Sequence, residues 1–367
     1  MKKTIIILCL LLLTGCNDYV EINDLGIVTG MAIDYVDNEY ELTSQLIVNE
    51  KESKVAVYTT KGKTIEEAIA KTSKLLNKEY YISFIKILIV TDNLLTSNEN
   101  YYDYFLRESK SKMNFYVYQA DSNIAKEILN IYKKEDGSSL FVDKMMTFNT
   151  QLFSSSVPLE FITLVYNSLE PGINPVYPTI GIKKNNNEKI ISLNNIVSYN
   201  KKKEKIELNE IESIMYNMIT NNTKDTILSI NCDNELFTMN IEESNSKFKW
   251  ENDKFKIELE MIGKINDYNC SYDITKKESL EKLKNLSTTY ITNQIDNLIN
   301  KAKEKRNDFI GIGNFIYRRD KKYRNKNIIN NWDYEFNNIE VIVKPKMSII
   351  STGELRIIED DKNAKNK

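Results

Sequence analysis

Histidine is absent from the 367-residue chain. A Ser-His-Asp or Cys-His catalytic arrangement therefore cannot form within one chain, and the commonest zinc ligand is missing. Carboxylates are plentiful, but no pair of them stands out as an acid–base pair. The sequence consequently predicts no catalytic residue, no metal site, no cofactor and no enzymatic activity.

Cysteine is also scarce, with 4 in the whole chain. Cys232 and Cys270 lie in sequence that is typical of strands or turns, and two isolated cysteines make no metal site. They could form a disulfide in an oxidising compartment. Because the chain is so poor in cysteine, we favour two free thiols and keep the disulfide as the alternative.

Long apolar runs are missing too, since none approaches the roughly 20 residues of a transmembrane helix. The N-terminus instead has two lysines and a short apolar run that ends in Leu13-Thr14-Gly15-Cys16. This combination is typical of a bacterial lipoprotein signal, in which residues 1–15 are removed and Cys16 carries the lipid. Residues 16–24 would then tether the chain to the membrane without spanning it. An ordinary secretory signal with an incidental cysteine is the alternative.

The chain has no excess of basic charge, because its formal net charge is -2. Nothing therefore suggests a nucleic-acid partner. With 41% hydrophobic and 28% charged residues, the composition is that of a globular protein. A chain of this length can form two or three domains with cores of their own.

Strand patterns alternate with helix patterns along the chain. Leu25 to Tyr35 and Tyr40 to Val48 are β-prone and joined by a turn, and "FIKILIVT" from Phe84 is an apolar strand. We therefore predict an α+β or mixed α/β fold of several small domains, each a mixed or antiparallel β-sheet flanked by helices. The first predicted part is an N-terminal α/β region at 25–200, and its split into two lobes near 135–150 is left open. The second is a C-terminal α/β domain at 206–357 that contains a long helix at 275–306. Residues 358–367 are predicted to form a disordered tail.

Several local patterns predict particular turns, caps and edges. The proline-rich stretch "LEPGINPVYPTIGI" favours a loop or crossover. Thr275 and Glu278 are spaced as a capping box that opens the long helix. Pro345 indicates that the strand from Ile339 lies at a sheet edge. "GIGNF" at Gly311 lacks the third glycine of a dinucleotide fingerprint, so it favours a tight turn.

The stretch "VAVYTTKGKTIEEAIAKTSKLL" resembles a phosphate-binding loop at Gly62-Lys63-Thr64. Such a loop needs a glycine where this chain has Val57. Thr64 followed by Glu67 is instead a capping box at the start of an amphipathic helix. We therefore do not predict a doubly wound nucleotide-binding fold.

Taken in order, these segments resemble the Ger(x)C family, the lipoprotein C subunits of spore germinant receptors. After the cysteine, "CNDYVEINDL" is similar to the family's pattern, although Asn17 replaces a usual Trp. "TTKGKTIEEAI" is similar to the family's strand-to-helix turn, and Phe84 holds a place where the family often has His. "NDFIGIGNFIYRR" and "WDYEF" follow in the family's order. The candidate interaction or motif residues are Asp18, Glu21, Ile22, Asp24, Gly62 and Trp332.

The structural roles of these candidates can be predicted from their surroundings. Glu21 and Asp24 alone are typical of a solvated linker. Trp332 favours a core or subdomain anchor, with an interface position as the alternative.

The resemblance implies a non-enzymatic protein held on the outer face of the inner spore membrane. It also implies two partners, a membrane-embedded A subunit and a transporter-like B subunit, with which the chain would take part in nutrient-triggered germination. The alternative is a solute-binding lipoprotein that delivers a nutrient to a membrane transporter.

Overall fold

The computed structural model of the chain describes residues 20–49, 54–132, 137–152, 155–186, 188–325 and 328–351. The predicted signal peptide, Cys16, Asp18 and the tail at 358–367 lie outside the described residues. The described residues form two mixed β-sheets flanked by helices, which confirms the predicted fold class. The exact domain bounds, including the split near 135–150, stay a prediction.

Thirteen strands are found among the described residues. They are β1 (Leu25–Val36), β2 (Glu39–Asn49), β3 (Lys54–Gly62), β4 (Glu79–Tyr81), β5 (Ile87–Thr91), β6 (Tyr116–Ala120), β7 (Val176–Asn185), β8 (Glu188–Tyr199), β9 (Lys205–Glu207), β10 (Thr226–Cys232), β11 (Glu235–Glu251), β12 (Lys254–Tyr268) and β13 (Glu340–Ser351).

The described residues also form eleven α-helices and a short 3₁₀ helix, Ile22–Asp24. The α-helices are α1 (Ile65–Leu76), α2 (Asp92–Thr96), α3 (Tyr102–Arg107), α4 (Ser122–Ile128), α5 (Ser138–Leu152), α6 (Phe161–Leu169), α7 (Glu210–Ile219), α8 (Lys277–Glu304), α9 (Ile312–Arg319), α10 (Lys321–Asn325) and α11 (Ile328–Asn338).

The first sheet has the strand order β3-β2-β1-β5-β6-β7-β8-β9, with β4 paired to the start of β1. Strands β1, β5, β6 and β7 are parallel, whereas the hairpins at both ends are antiparallel. The predicted turn between β1 and β2 is confirmed, because Asp37 and Asn38 both have positive φ, as a tight hairpin turn requires.

Helices cover both faces of this sheet, which explains why most of β1 is buried. On one face, Phe105 of α3, Phe161 of α6 and Phe115 pack with ring centroids 4.8 to 5.5 Å apart. On the other face, α4 and α5 bury Ile128 and Val142. The central strands are therefore buried between two layers of helices.

The second sheet has the order β10-β11-β12-β13. In β12, Phe255, Ile257 and Leu259 are buried while Glu260 is exposed, as expected of a strand in which apolar and charged residues alternate. Among the described residues β13 pairs with β12 alone, in parallel, which confirms that Pro345 lies in an edge strand. Helix α8 packs its apolar side onto this sheet.

One local prediction is wrong, and another is only partly confirmed. The long helix begins at Lys277, with Lys276 as its N-cap, and Thr275 instead donates its hydroxyl proton to Asp273 at 2.6 Å. The proline-rich stretch is only partly a loop, because β7 begins at Val176 and contains Pro178. β7 pairs with β6 at a single position. The missing N–H of Pro178 therefore costs little hydrogen-bonding free energy on the side of β7 that faces β6.

Cys232, the last residue of β10, and Cys270, which follows β12, form a disulfide with their Cα atoms 5.9 Å apart. The favoured interpretation of two free thiols is therefore wrong. The two cysteines meet because β10 and β12 both flank β11 in one sheet. Such a pairing depends on strand register and cannot be derived from cysteine count.

Reducing this disulfide is expected to lower the free energy of unfolding by about 2–4 kcal/mol, because the unfolded chain regains the freedom of the closed loop. Urea unfolding with and without a reductant measures the change. A Cys232→Ala/Cys270→Ala variant is the control, since reductant should leave its midpoint unchanged. An unchanged midpoint in the wild-type protein would contradict the bridge.

Candidate functional site

The predicted motif residues at the end of the predicted tether lie on the surface just before β1. Ile22 and Asp24 bound the short 3₁₀ helix, which Glu21 precedes, and all three are exposed. The ammonium group of Lys78 donates a hydrogen bond to the carbonyl of Asn23, which holds this segment against the sheet. Exposure of Glu21 and Asp24 agrees with the solvated-linker interpretation.

Gly62 ends β3 where helix α1 approaches the strand. A Cβ atom on Gly62 would lie 2.6 Å from the amide nitrogen of Ala68 and 2.8 Å from the carbonyl oxygen of Thr64, so a larger residue does not fit. Thr64 accepts a hydrogen bond from the N–H of Glu67 at 3.1 Å, which confirms the predicted cap. The carboxylate of Glu67 bonds the N–H of Lys63 at 2.8 Å, one residue earlier than a capping box requires.

Trp332 is buried, and its indole Nε1 donates to Asp308 Oδ2 at 3.0 Å. Asp308 also accepts the N–H groups of Gly311, Ile312 and Gly313 at 2.7 to 3.0 Å. The predicted tight turn at Gly311 is confirmed by its φ of +83°. Trp332 is thus a core residue, as favoured, and the carboxylate that it contacts was not predicted.

The same turn contacts the loop between α6 and β7. The N–H of Asn174 donates to the carbonyl of Asp308 at 2.9 Å, and the N–H of Asp308 donates to Asn174 Oδ1 at 3.1 Å. The N–H of Asn314 donates to the carbonyl of Gly172 at 2.8 Å. A Cβ atom on Gly172 would lie 2.5 Å from Gly313, so the two backbones touch directly. We call these residues, namely Gly172, Asn174, Asp308, Gly311 to Asn314 and Trp332, the joint.

The joint fixes the loop after α6 to the start of α9 through hydrogen bonds and close backbone contact. Asn314 Nδ2 adds a hydrogen bond to Glu170 Oε2 at 3.0 Å, and Arg318 lies 3.4 Å from the same carboxylate. Asp308 and Gly311 to Gly313 are buried and the facing loop is half-buried, so water can replace the lost bonds only in part if the two segments separate. The joint therefore contributes to the relative position of the two sheets, together with the apolar core that Val176 and Ile196 share with the second sheet.

The carboxyl group of Asp308 titrates in an unusual range. Burial raises the pKa of Asp308 to about 6, and the N–H groups of Gly311 to Gly313 and of Trp332 oppose that rise by stabilising the carboxylate. The folded protein thus holds the proton more tightly than the unfolded chain does. The contribution of Asp308 to stability is fully present below about pH 4 and is lost as pH rises through about 6.

The difference in unfolding free energy between the wild type and an Asp308→Asn variant is therefore expected to change with pH. It should fall by about 2 kcal/mol between pH 4 and pH 7, at about 1.4 kcal/mol for each pKa unit. Urea unfolding of both proteins across this range measures it, and the variant cancels the contribution of other titrating groups. A difference that stays constant with pH would contradict the buried, titrating carboxyl.

Two cavities lie away from the predicted motif residues. A polar cleft of about 560 Å³ opens where β6 and β7 diverge, with Gln119, Asn195 and Lys205 among its lining residues. Lys205 pairs there with Glu207 at 2.9 Å and with Asp121 at 3.5 Å, so its charge is compensated. A second, more apolar groove of about 920 Å³ runs between α8 and β10. Within the described ranges, no group of three or more Cys, Asp or Glu residues could hold a metal ion.

Comparison with known protein families decides the family of the chain. A family model described as a spore germination protein N-terminal domain matches residues 18–182. A second, described as spore germination B3/GerAC-like, C-terminal, matches residues 196–353. The chain belongs to this spore germination family. The predicted resemblance is therefore confirmed, and a role in spore germination is supported.

Individual relatives agree with this family over most of the chain. Spore germination protein A3 of Bacillus subtilis (strain 168) is 24% identical over 73% of this chain and 75% of its own length. Spore germination protein KC of the same organism is 22% identical over 96% of each chain. The crystal structure of the GerBC protein, at 17% identity and a TM-score of 0.54, covers 90% of this chain and 100% of that one, and so shares its fold.

Membership of the spore germination family gives the joint a clear position. Gly172 and Asn174 lie in the stretch matched by the N-terminal family model, whereas Asp308, Gly313 and Trp332 lie in the stretch matched by the C-terminal one. The joint thus links the two parts that characterise the family. In the part of the chain that the structure describes, no helix is long and apolar enough to cross a membrane.

Proposed function

We propose that this chain is a non-enzymatic, lipid-anchored subunit of a spore germinant receptor. It would be held through Cys16 on the outer face of the inner spore membrane and take part there in nutrient-triggered germination. The observation that carries the proposal is the ordered match of both family models, which together span 18–182 and 196–353. The first match begins two residues after the cysteine of the lipoprotein-like signal.

A lipid on Cys16 would keep the protein close to its membrane partners. An anchor confines the protein to the membrane surface and so raises its effective concentration near membrane-embedded partners. We propose that those partners are the A and B subunits that the family resemblance implies. The folded part would then act by contacting them, with the joint keeping its two sheets in a fixed arrangement.

A solute-binding lipoprotein remains the alternative function, and it receives less support. Such a protein needs two comparable lobes that close over a ligand. The two sheets here differ in size and strand order. The polar cleft lies within the first sheet, where β6 and β7 diverge, and not between the two sheets. Hydrogen bonds across the joint also oppose a hinge at that place.

Fractionation of spores that carry a tagged copy tests the proposal. The wild-type chain should be found in the inner-membrane fraction and should be cross-linked to membrane-embedded proteins. A Cys16→Ala chain should move to the soluble fraction, whereas Asn17→Ala, the matched control next to the cysteine, should remain in the membrane. Membrane association that does not depend on Cys16, or a wild-type chain in the soluble fraction, would contradict the anchor.

A further inference from the structure

Large apolar side chains are exposed at one end of the first sheet, where its parallel strands begin. Ile22, 51% exposed, lies just before β1, and Phe84, 53% exposed, lies just before β5. Leu75, 63% exposed, is in the last turn of α1, next to β4, which pairs with the start of β1. Val20 is also exposed, four residues after Cys16. Scattered exposed apolar residues are ordinary, but several at one end of a sheet are not.

Two further exposed residues belong to the same end. Leu106 is near the end of α3, which leads into the loop before β6. Ile162 opens α6, and its N–H donates to the carbonyl of Met113 at 3.3 Å, in that same loop. We call this set the amino-end surface; its members are Val20, Ile22, Leu75, Phe84, Leu106 and Ile162.

The loops that carry this surface are tied to one another. The hydroxyl of Ser83 donates to the carbonyl of Lys110 at 2.5 Å, and Lys110 also pairs with Glu79. The Phe84 ring lies 6.2 Å from that of Tyr81, and the ammonium of Lys112 lies 5.9 Å from the centre of the Phe84 ring. Contacts between the two loops therefore hold Phe84 in place, and Lys112 lies beside its ring.

The opposite end of the same strands has a different character. There the hydroxyl of Thr91 donates to Asp34 Oδ1 at 2.6 Å, and the N–H of Ser122 donates to Asp92 Oδ1 at 2.9 Å. These polar groups satisfy one another and would be costly to place against an apolar phase. Exposed apolar side chains therefore distinguish the amino end of the sheet from the end at Asp34 and Asp92.

We propose that the amino-end surface lies in the interfacial layer of a lipid bilayer, with Ile22 and Phe84 inserted. The chain reaches this end directly from Cys16, and the six residues from Cys16 to Ile22 span at most about 20 Å when fully extended. The apolar side chains would enter the boundary between headgroups and acyl chains, about 5–10 Å deep. This inference rests on the proposed anchoring of Cys16.

The charges around the surface indicate which kind of bilayer it fits. Lys78, Lys110 and Lys112 are accompanied by carboxylates at Glu21, Asp24, Glu79 and Glu108, so positive charge does not dominate. Binding by apolar insertion, in contrast to attraction to anionic lipids, is nearly independent of salt. The surface would therefore fix the orientation of the anchored protein on a neutral bilayer as well as on an anionic one.

A tryptophan placed at position 84 tests this orientation. The chain from Cys16 onward, with its disulfide intact, has one free thiol, which can be coupled to a maleimide lipid in phosphatidylcholine vesicles. Brominated lipids should quench a Phe84→Trp variant severalfold more strongly than a Tyr334→Trp variant, after subtraction of the signal of the native tryptophans. Tyr334 is a matched control because it is 69% exposed and lies on α11, whose Trp332 and Phe336 pack in the core of the second sheet.

Adding Ile22→Ser to Phe84→Trp should reduce the quenching, and high salt should leave it unchanged. Equal quenching at positions 84 and 334 in vesicle-bound protein would overturn the proposal, as would quenching that requires anionic lipid. Because the anchor is supplied chemically, these results do not depend on whether cells attach a lipid. Failure of the amino-end surface and failure of the proposed anchor in spores are therefore distinguishable.

Discussion

An Asp308→Ala variant is expected to unfold with a free energy about 4 kcal/mol lower than that of the wild type at pH 5. The substitution removes the acceptor of three backbone N–H groups and of the Trp332 indole. Each buried donor left without a partner costs about 1–3 kcal/mol. At pH 5 the carboxyl lies below its folded pKa of about 6, so roughly half of its pH-dependent contribution is still present. The loss should be smaller at pH 7.

Asp320→Ala is the matched control for this experiment. Asp320 also accepts a hydrogen bond from a tryptophan, Trp250 Nε1 at 3.0 Å, but it lies near the surface, where water can replace the carboxylate. Its loss should cost only about 1 kcal/mol. Urea unfolding followed by far-UV circular dichroism measures both variants. If Asp308→Ala is no less stable than Asp320→Ala, the joint is not the structural link that its geometry indicates.

A Cys16→Ala strain is expected to release dipicolinic acid in response to nutrient more slowly than the wild type, on the order of tenfold or more. Without the anchor the subunit loses the raised effective concentration that confinement to the membrane provides, a factor of about 10²–10⁴ for tethered binding. The rate of release after nutrient addition is the measurement. Asn17→Ala should respond normally, and a normal response from Cys16→Ala would contradict the role of the anchor.

Local patterns predicted the parts of the fold whose cause is local. The alternation of Phe255, Ile257 and Leu259 with charged residues identifies β12 because successive side chains of a strand point to opposite faces. Thr64 was identified as an N-cap because its hydroxyl bonds an amide only three residues away. Pro345 indicated an edge because it cannot donate to a neighbouring strand. Each of these predictions depends on one residue or on residues that are near one another in sequence.

The joint depends on residues far apart, and sequence patterns missed most of it. Asn174 and Asp308 are 134 positions apart, so neither indicates the other. The stretch at Gly311 predicts a tight turn, and Asp308 three residues before it is a usable signal for the carboxylate that caps this turn. The disulfide is missed because a low cysteine count favours free thiols and carries no information about strand register. Trp332 was correctly placed in the core, but its partner could not be named.

The amino-end surface also needed the fold before it could be recognised. Ile22, Phe84 and Ile162 belong to separate segments, and although the family resemblance marks Ile22 and Phe84, no local pattern places the three side chains together. The parallel pairing of β1, β5 and β6 brings their preceding loops to one end. The exposed side chains of these loops therefore lie together on one surface.

The central claim is that this chain serves in nutrient-triggered germination as a receptor subunit, and nutrient-triggered release of dipicolinic acid tests it most directly. The gene would be deleted in a strain that also lacks paralogous receptors, and the spores would be compared with the same strain carrying the wild-type gene. The account predicts that the deletion abolishes the response to at least one nutrient and that the wild-type gene restores it. Release that is equal with and without the gene, for every nutrient tested, would contradict the account.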